Sequence, residues 1–95
     1  MKSEVTILIA DDHPVFRQGL RLVIESDPQL KVVGEPDDGA TAIEMVESLS
    51  ATVAVLDVDM PNGDGFEVAR ALKQKRSPAR IIFLTMHKDE RFLNA

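Results

Sequence analysis

The chain alternates two hydrophobic periods, and that alternation limits the folds open to it. Val5-Thr6-Ile7-Leu8-Ile9-Ala10 is a short apolar run rich in β-formers, the pattern of a buried strand. Asp11-Asp12-His13 interrupts it, and Pro14 follows where a helix would begin, a position at which its missing N–H costs nothing. Phe16, Leu20, Val23 and Ile24 then recur at helical spacing and predict one buried face. Asp27-Pro28 ends that helix. Residues 31–35, with Val32 and Val33, predict a weaker strand, and Pro36-Asp37-Asp38-Gly39 a loop. Ala42, Ile43, Val46 and Leu49 mark a second amphipathic helix. Residues 52–56 predict a third strand, stopped by Asp57, and Met60-Pro61-Asn62-Gly63 another loop. Asp64 has the place of an N-cap, with Glu67 three residues on to complete a capping box. Val68, Ala69 and Leu72 form the third helix's stripe, and Ser77-Pro78 breaks the chain. Residues 80–85, with Ile81-Ile82-Phe83-Leu84, predict a fourth strand, and 88–95 open a helical pattern.

The order βαβαβαβα predicts an α/β fold, a doubly wound parallel sheet covered on both faces. Ninety-five residues make one small domain, which buries about 60–65% of its unfolded surface. There is no internal repeat, low-complexity tract or long linker. With four Phe and no Trp or Tyr, the chain lacks the rings of a base-stacking surface, and a net charge of −5 repels phosphate backbones. An acidic balance favours a cation or a basic partner instead. The absence of cysteine removes disulfides and thiolate chemistry and fits a cytoplasmic setting. No apolar run is long enough to span a bilayer, and no signal-peptide layout opens the sequence. The fourth strand is apolar on both faces, whereas edge strands are usually blunted by charge or proline. It therefore expects a neighbour that this sequence does not supply. A shortened chain, a proteolytic fragment, a disordered tail or pairing with a second molecule would each account for that. The bare edge predicts self-association through the fourth strand and the helix after it.

A parallel doubly wound sheet delivers the C-terminal ends of all its strands to one edge, where ligands bind. Here that edge receives Asp11 and Asp12 from strand one, Asp57 from strand three and Thr85 from strand four. In the flavodoxin-like order 2-1-3-4, strands one and three are neighbours, and three carboxylates gather. Unpaired, they raise one another's pKa. A hard divalent cation relieves this, and Mg²⁺ suits oxygen ligands while keeping several waters. With that charge screened, Asp57 is placed to attack phosphorus as a nucleophile. The Thr85 hydroxyl can donate to a phosphoryl oxygen. Each residue also has a plainer reading: Asp11 and Asp12 as helix caps, Asp57 as a turn residue, Thr85 as one more strand-end threonine. Their convergence favours the site. His13 and His87 have no metal-like spacing to each other and read as structural or surface residues, and Met86 as packing.

At this point the sequence resembles a known family. The run from Val5 through Asp11-Asp12-His13-Pro14 to Gly19-Leu20, then Asp57-Val58-Asp59-Met60-Pro61 with Asp64-Gly65, then Phe83-Leu84-Thr85-Met86-His87, resembles the receiver domains of two-component response regulators. The likeness is nearest to the NarL/FixJ subfamily, which carries a LuxR-type helix-turn-helix output domain, and it covers essentially all of residues 1–95. The resemblance implies that Asp57 is the phosphoacceptor and Asp12 a direct Mg²⁺ ligand. It implies that Asp11 acts in the metal site through water and that the Asp59 backbone carbonyl completes the protein ligands. Thr85 would be the switch hydroxyl, and the Asp59 side chain would influence how water reaches the phosphoryl group. The phosphoryl donor would be a sensor histidine kinase or a small phosphodonor. Such domains catalyse only their own phosphorylation and slow dephosphorylation, so the resemblance implies a signalling phosphoacceptor rather than an enzyme.

The family also has a fifth strand bearing a lysine that pairs with the phosphoryl group, then a fifth helix. Neither occurs in this sequence, and Lys88, at a helix start, does not match that lysine. DNA would be reached only through an output domain that is likewise missing. Three other readings compete. Asp57-x-Asp59 matches the nucleophile pair of haloacid-dehalogenase-type phosphohydrolases, but that pair follows a first strand. Asp11-x-His13 suggests a cobalamin-binding module, but Phe16 stands where that motif needs glycine. The third is a receiver-like interaction module that is never phosphorylated.

Overall fold

The computed structural model describes residues 4–85. Its elements run β1 (Val5–Ala10), α1 (Pro14–Ile24), β2 (Leu30–Gly34), α2 (Gly39–Leu49), β3 (Val53–Asp57), α3 (Gly65–Gln74) and β4 (Arg80–Leu84). The four strands are all parallel and lie in the order β2-β1-β3-β4. This is the expected flavodoxin-like α/β sheet. The helical pattern over 88–95, together with Met86, His87 and Lys88, lies outside the described residues.

Strand alternation sorts the core into two layers, because successive side chains point to opposite faces. Leu8, Ala10, Ala54 and Leu56 pack with Ala42 and Val46 of α2 and with Val68 and Leu72 of α3. Ile7, Ile9 and Val55 pack on the other face, against Leu20 and Ile24 of α1. Register then fixes the strand ends. Ala10 pairs with Leu56, Leu56 with Phe83, and Asp57 with Leu84, so the chain leaves all three strands at one level.

Local chemistry sets the helix starts. Pro14 opens α1 behind His13 at the N-cap. The Asp38 carboxylate caps α2, accepting from the Thr41 N–H at 2.8 Å. The expected capping box at α3 forms in full: Asp64 accepts from the Glu67 N–H, and Glu67 accepts from the Asp64 N–H, both at 2.9 Å. Two further amides at the start of α2, unpaired within the helix itself, donate to the loop beyond β3: Gly39 N–H to Pro61 O at 3.2 Å and Ala40 N–H to Asn62 O at 3.1 Å. That loop reverses through Asn62 and Gly63, both with positive φ. So the segment following Asp57 is tied to the head of α2.

One expectation needs correction. The inward stripe of α1 is Phe16, Leu20 and Ile24, each partly buried; Val23 is 70% exposed. At about 100° per residue it falls at the rim of that stripe. Strand four, apolar on both faces, stands at the sheet edge among the described residues, as the order 2-1-3-4 expected. Ile82 and Phe83 are correspondingly half exposed, Phe83 resting on the Phe66 ring at 4.8 Å between centroids.

Candidate phosphoacceptor and metal site

The parallel register puts Asp11 and Asp57 side by side, one residue past the Ala10–Leu56 pair and at the last position of β3 respectively. Both are fully buried, and they are the buried charged residues among the described part of the chain. Burying a carboxylate is unfavourable unless its oxygens find donors. Each finds them for one oxygen only. Asp57 Oδ1 accepts from the Asp59 N–H at 3.0 Å, and Asp11 Oδ1 accepts from the His13 N–H at 3.0 Å. Asp57 Oδ2 and Asp11 Oδ2 are buried with no hydrogen-bond partner. Burial pushes the Asp57 carboxyl above its usual range, and the neighbouring Asp11 adds to this, while the Asp59 N–H pulls the other way.

The surroundings hold this arrangement in place. The Asp11 N–H donates to Pro36 O at 3.1 Å, and its carbonyl accepts from the Arg17 guanidinium, which also reaches Glu35. The Val58 N–H donates to Leu84 O at 3.0 Å, fixing the exit from β3 against β4. Gly65 at the head of α3 lies so close to the Asp57 carbonyl that a Cβ there would sit 2.5 Å from it.

Asp12 closes the group from the solvent side, with its side chain 36% exposed. One atom that the sequence did not assign to the site joins it. His13 Nδ1 lies 2.7 Å from Asp11 Oδ1, 3.1 Å from Asp12 Oδ1 and 3.5 Å from Asp57 Oδ2. Read from the sequence as a structural or surface residue, His13 stands within this group: one ligand atom from each of Asp11, Asp12, His13 and Asp57 falls within 4.8 Å of all the others. The reason is the turn after β1. The His13 N–H bonds back to the Asp11 carboxylate and folds the imidazole over the acids. Comparing His13 with His87 alone concealed this. A search for any acid two residues before a histidine at a strand end would have found it.

The other expected residues stand further out. Asp59 is exposed and contributes its N–H to Asp57; its side chain is outside the cluster. Thr85 is the first residue past β4 at the same edge, one step beyond the Asp57–Leu84 pair, and is exposed. The acids fit a divalent cation. Two buried carboxylate oxygens without donors supply fixed anionic ligands, and the half-exposed Asp12 leaves room on the open side for the waters that Mg²⁺ retains.

The model of the response regulator receiver domain matches residues 7–95. The chain belongs to that family. It superposes on the signal receiver domain of the response regulator NarL from Mycobacterium tuberculosis with a TM-score of 0.86 at 35% identity, covering 97% of this chain and 74% of that one. It is 38% identical over 89 residues to the nitrate/nitrite response regulator NarL of Escherichia coli K12, covering 94% of this chain and 41% of the relative. A third similar protein is RcsB from Salmonella enterica serovar Typhimurium, solved bound to a promoter in the presence of a phosphomimetic. There the identity is 33% and the TM-score 0.80, over 97% of this chain and 46% of that one. This receiver chain thus spans about two-fifths of the length of the curated relatives it matches, which are transcription regulators. No helix among the described residues of the receiver is long and apolar enough to cross a membrane.

Proposed function

We propose that this receiver domain, taking in the whole of residues 1–95, accepts a phosphoryl group on Asp57 from a histidine kinase in the cytoplasm and so controls a DNA-binding output domain. The observation that carries the reading is the pair of buried, adjacent carboxylates whose second oxygens have no donor. A fold does not hold two such groups together for stability, because each costs about 1–3 kcal/mol of unmet solvation. A buried acid with a raised pKa at a strand end, as Asp57 is, marks a candidate working site.

Asp11, Asp12, Asp57 and the backbone carbonyl of Asp59 would hold Mg²⁺. When bound, Mg²⁺ offsets negative charge on the acids and on the phosphoryl oxygens. The chain's own residues do the rest. The Asp59 N–H fixes the Asp57 carboxylate through Oδ1, which leaves Oδ2 with its lone pairs uncommitted. An Asp57 oxygen forms a bond to phosphorus as the donor's P–N or P–O bond breaks, and the donor keeps that electron pair. The product is a mixed anhydride at the end of β3. Thr85, next along the edge, would turn its hydroxyl towards the new phosphoryl oxygens and carry the change to the surface past β4. DNA enters only through an output domain, as the promoter-bound relative suggests.

The test is intact mass after incubation with Mg²⁺ and acetyl phosphate, on the native chain and on Asp57→Asn. One phosphoryl adduct on the native chain alone is expected. An adduct on both would move the acceptor elsewhere, and none on either would leave an interaction module as the better account of these residues. Self-association belongs to the same reading: the half-exposed Ile82 and Phe83 give the β4 edge apolar surface to cover. Sedimentation is expected to show a dimer or larger species at high concentration, and a folded monomer throughout would overturn this.

A further inference from the structure

The position of His13 Nδ1 has consequences for which ion the site selects. Two ligands side by side on a metal with bonds of about 2.1 Å stand about 3 Å apart. The three distances from His13 Nδ1 to carboxylate oxygens, 2.7, 3.1 and 3.5 Å, surround that value. The imidazole nitrogen therefore stands in a ligand's place relative to Asp11, Asp12 and Asp57. Asp11 and Asp57 each keep a buried oxygen without a donor, and that of Asp57 lies 3.5 Å from Nδ1. His13 is held there by its own backbone, through the N–H bond to Asp11 and its place at the head of α1.

We propose that His13 Nδ1 is a fourth ligand of the acidic site and tilts it from Mg²⁺ towards first-row transition ions, Zn²⁺ above all. The inference rests on the acidic cluster being a metal site, and is independent of phosphoryl transfer. A set of oxygens suits Mg²⁺, whereas an imidazole nitrogen is a softer donor that Zn²⁺ takes readily and Mg²⁺ does not. At 2.7 Å from Asp11 Oδ1, Nδ1 carries the donated proton in the metal-free chain; Zn²⁺ would displace that proton, to Nε2 or to solvent, and meet the freed Nδ1 lone pair. Zn²⁺ would use this nitrogen with carboxylate oxygens. Mg²⁺ would keep the oxygens and waters, and the imidazole would move aside.

The experiment titrates the 95-residue chain with Zn²⁺ and separately with Mg²⁺, for the native protein and for His13→Ala and His13→Asn, with circular dichroism to confirm folding. Zn²⁺ affinity is expected to fall by roughly tenfold or more in both variants, since even groups that only orient a ligand act on that scale. Mg²⁺ affinity should stay within about twofold of the native value. Because His87 remains in both variants, the loss would belong to His13. In the isotope-labelled native chain, the His13 Nδ1 resonance should show the large change of direct coordination on adding Zn²⁺, and with Mg²⁺ only the smaller change of a ring moved off the acids. This readout holds even if a variant fails to fold. Unchanged Zn²⁺ affinity in the variants, or Zn²⁺ binding that leaves Nδ1 unshifted, would overturn the inference while Mg²⁺ binding left the acidic site standing. Failure of the native chain to bind either ion would overturn both.

Discussion

In metal-free buffer, Asp57→Asn is expected to make the chain more stable, by about 1–3 kcal/mol, the cost of a buried polar group without its partner. In a domain of this size such a gain raises Tm by at least about 4 °C. Asp57 and Asp11 are buried together, each with one oxygen lacking a donor. Asparagine keeps an oxygen for the Asp59 N–H and replaces the other with an amide donor beside Asp11, in place of a like charge. The pH dependence follows from the direction of the shift. The Asp57 carboxyl titrates above its ordinary value in the folded chain, through burial first and Asp11 after it. Its ionisation therefore destabilises the fold. The loss is absent below the ordinary carboxylate range, sets in as pH rises through that range and is complete above the raised value. The advantage of the variant should accordingly grow as pH rises through the carboxylate range and shrink in acid. Mg²⁺ should reverse the order, because an ion that binds only the native fold stabilises it by mass action, and the variant has lost a ligand. Thermal melts at two pH values, with chelator and with Mg²⁺, check all of this. A variant less stable than native in chelator would mean that the fold already satisfies the Asp57 charge, and the strongest physical sign of a phosphoryl site would disappear.

The fold could be read from the sequence because two periods alternate without interruption and each strand ends in a charged or hydroxyl residue. Once the strands are parallel and ordered 2-1-3-4, the meeting of Asp11, Asp12 and Asp57 is a matter of topology, and no side-chain detail is needed. Where side-chain detail decides, the sequence says less. His13 enters the site because a backbone N–H folds back on an acid two residues earlier, a contact that leaves no periodic trace. Val23 has the spacing of a core residue, yet lies at the rim of its helix's inward stripe. The glycines are the least legible. Gly39 and Gly65 each precede a helical stripe and look like ordinary loop residues, but neither has positive φ. Their necessity comes from backbone that tertiary packing brings against them.

That necessity gives the second large effect. Gly65→Ala is expected to destabilise the chain by about 1–3 kcal/mol, the scale of overpacking in a closed site, despite alanine's better helix propensity. The added Cβ would lie 2.5 Å from Asp57 O, 3.0 Å from Asp57 C and 3.1 Å from Val58 Cα, all backbone, so no side chain can swing aside. Either the head of α3 or the end of β3 must move. The first carries the Asp64–Glu67 capping box, and the second carries Asp57 and the Asp59 N–H that orients it. Mg²⁺ affinity should therefore fall together with stability. Gly19→Ala supplies the contrast. It lies within α1 with nothing within 4 Å of its would-be Cβ, so alanine there should add about 0.5–1 kcal/mol by removing backbone freedom from the unfolded chain. Denaturant midpoints for the two variants, with Mg²⁺ titrations beside them, separate a glycine required by close approach from one that is merely tolerated. Should Gly65→Ala melt like the native chain and bind Mg²⁺ as well, the head of α3 would be free to slide. The rigid floor beneath Asp57 would then have to come from β1 and its buried Asp11 instead.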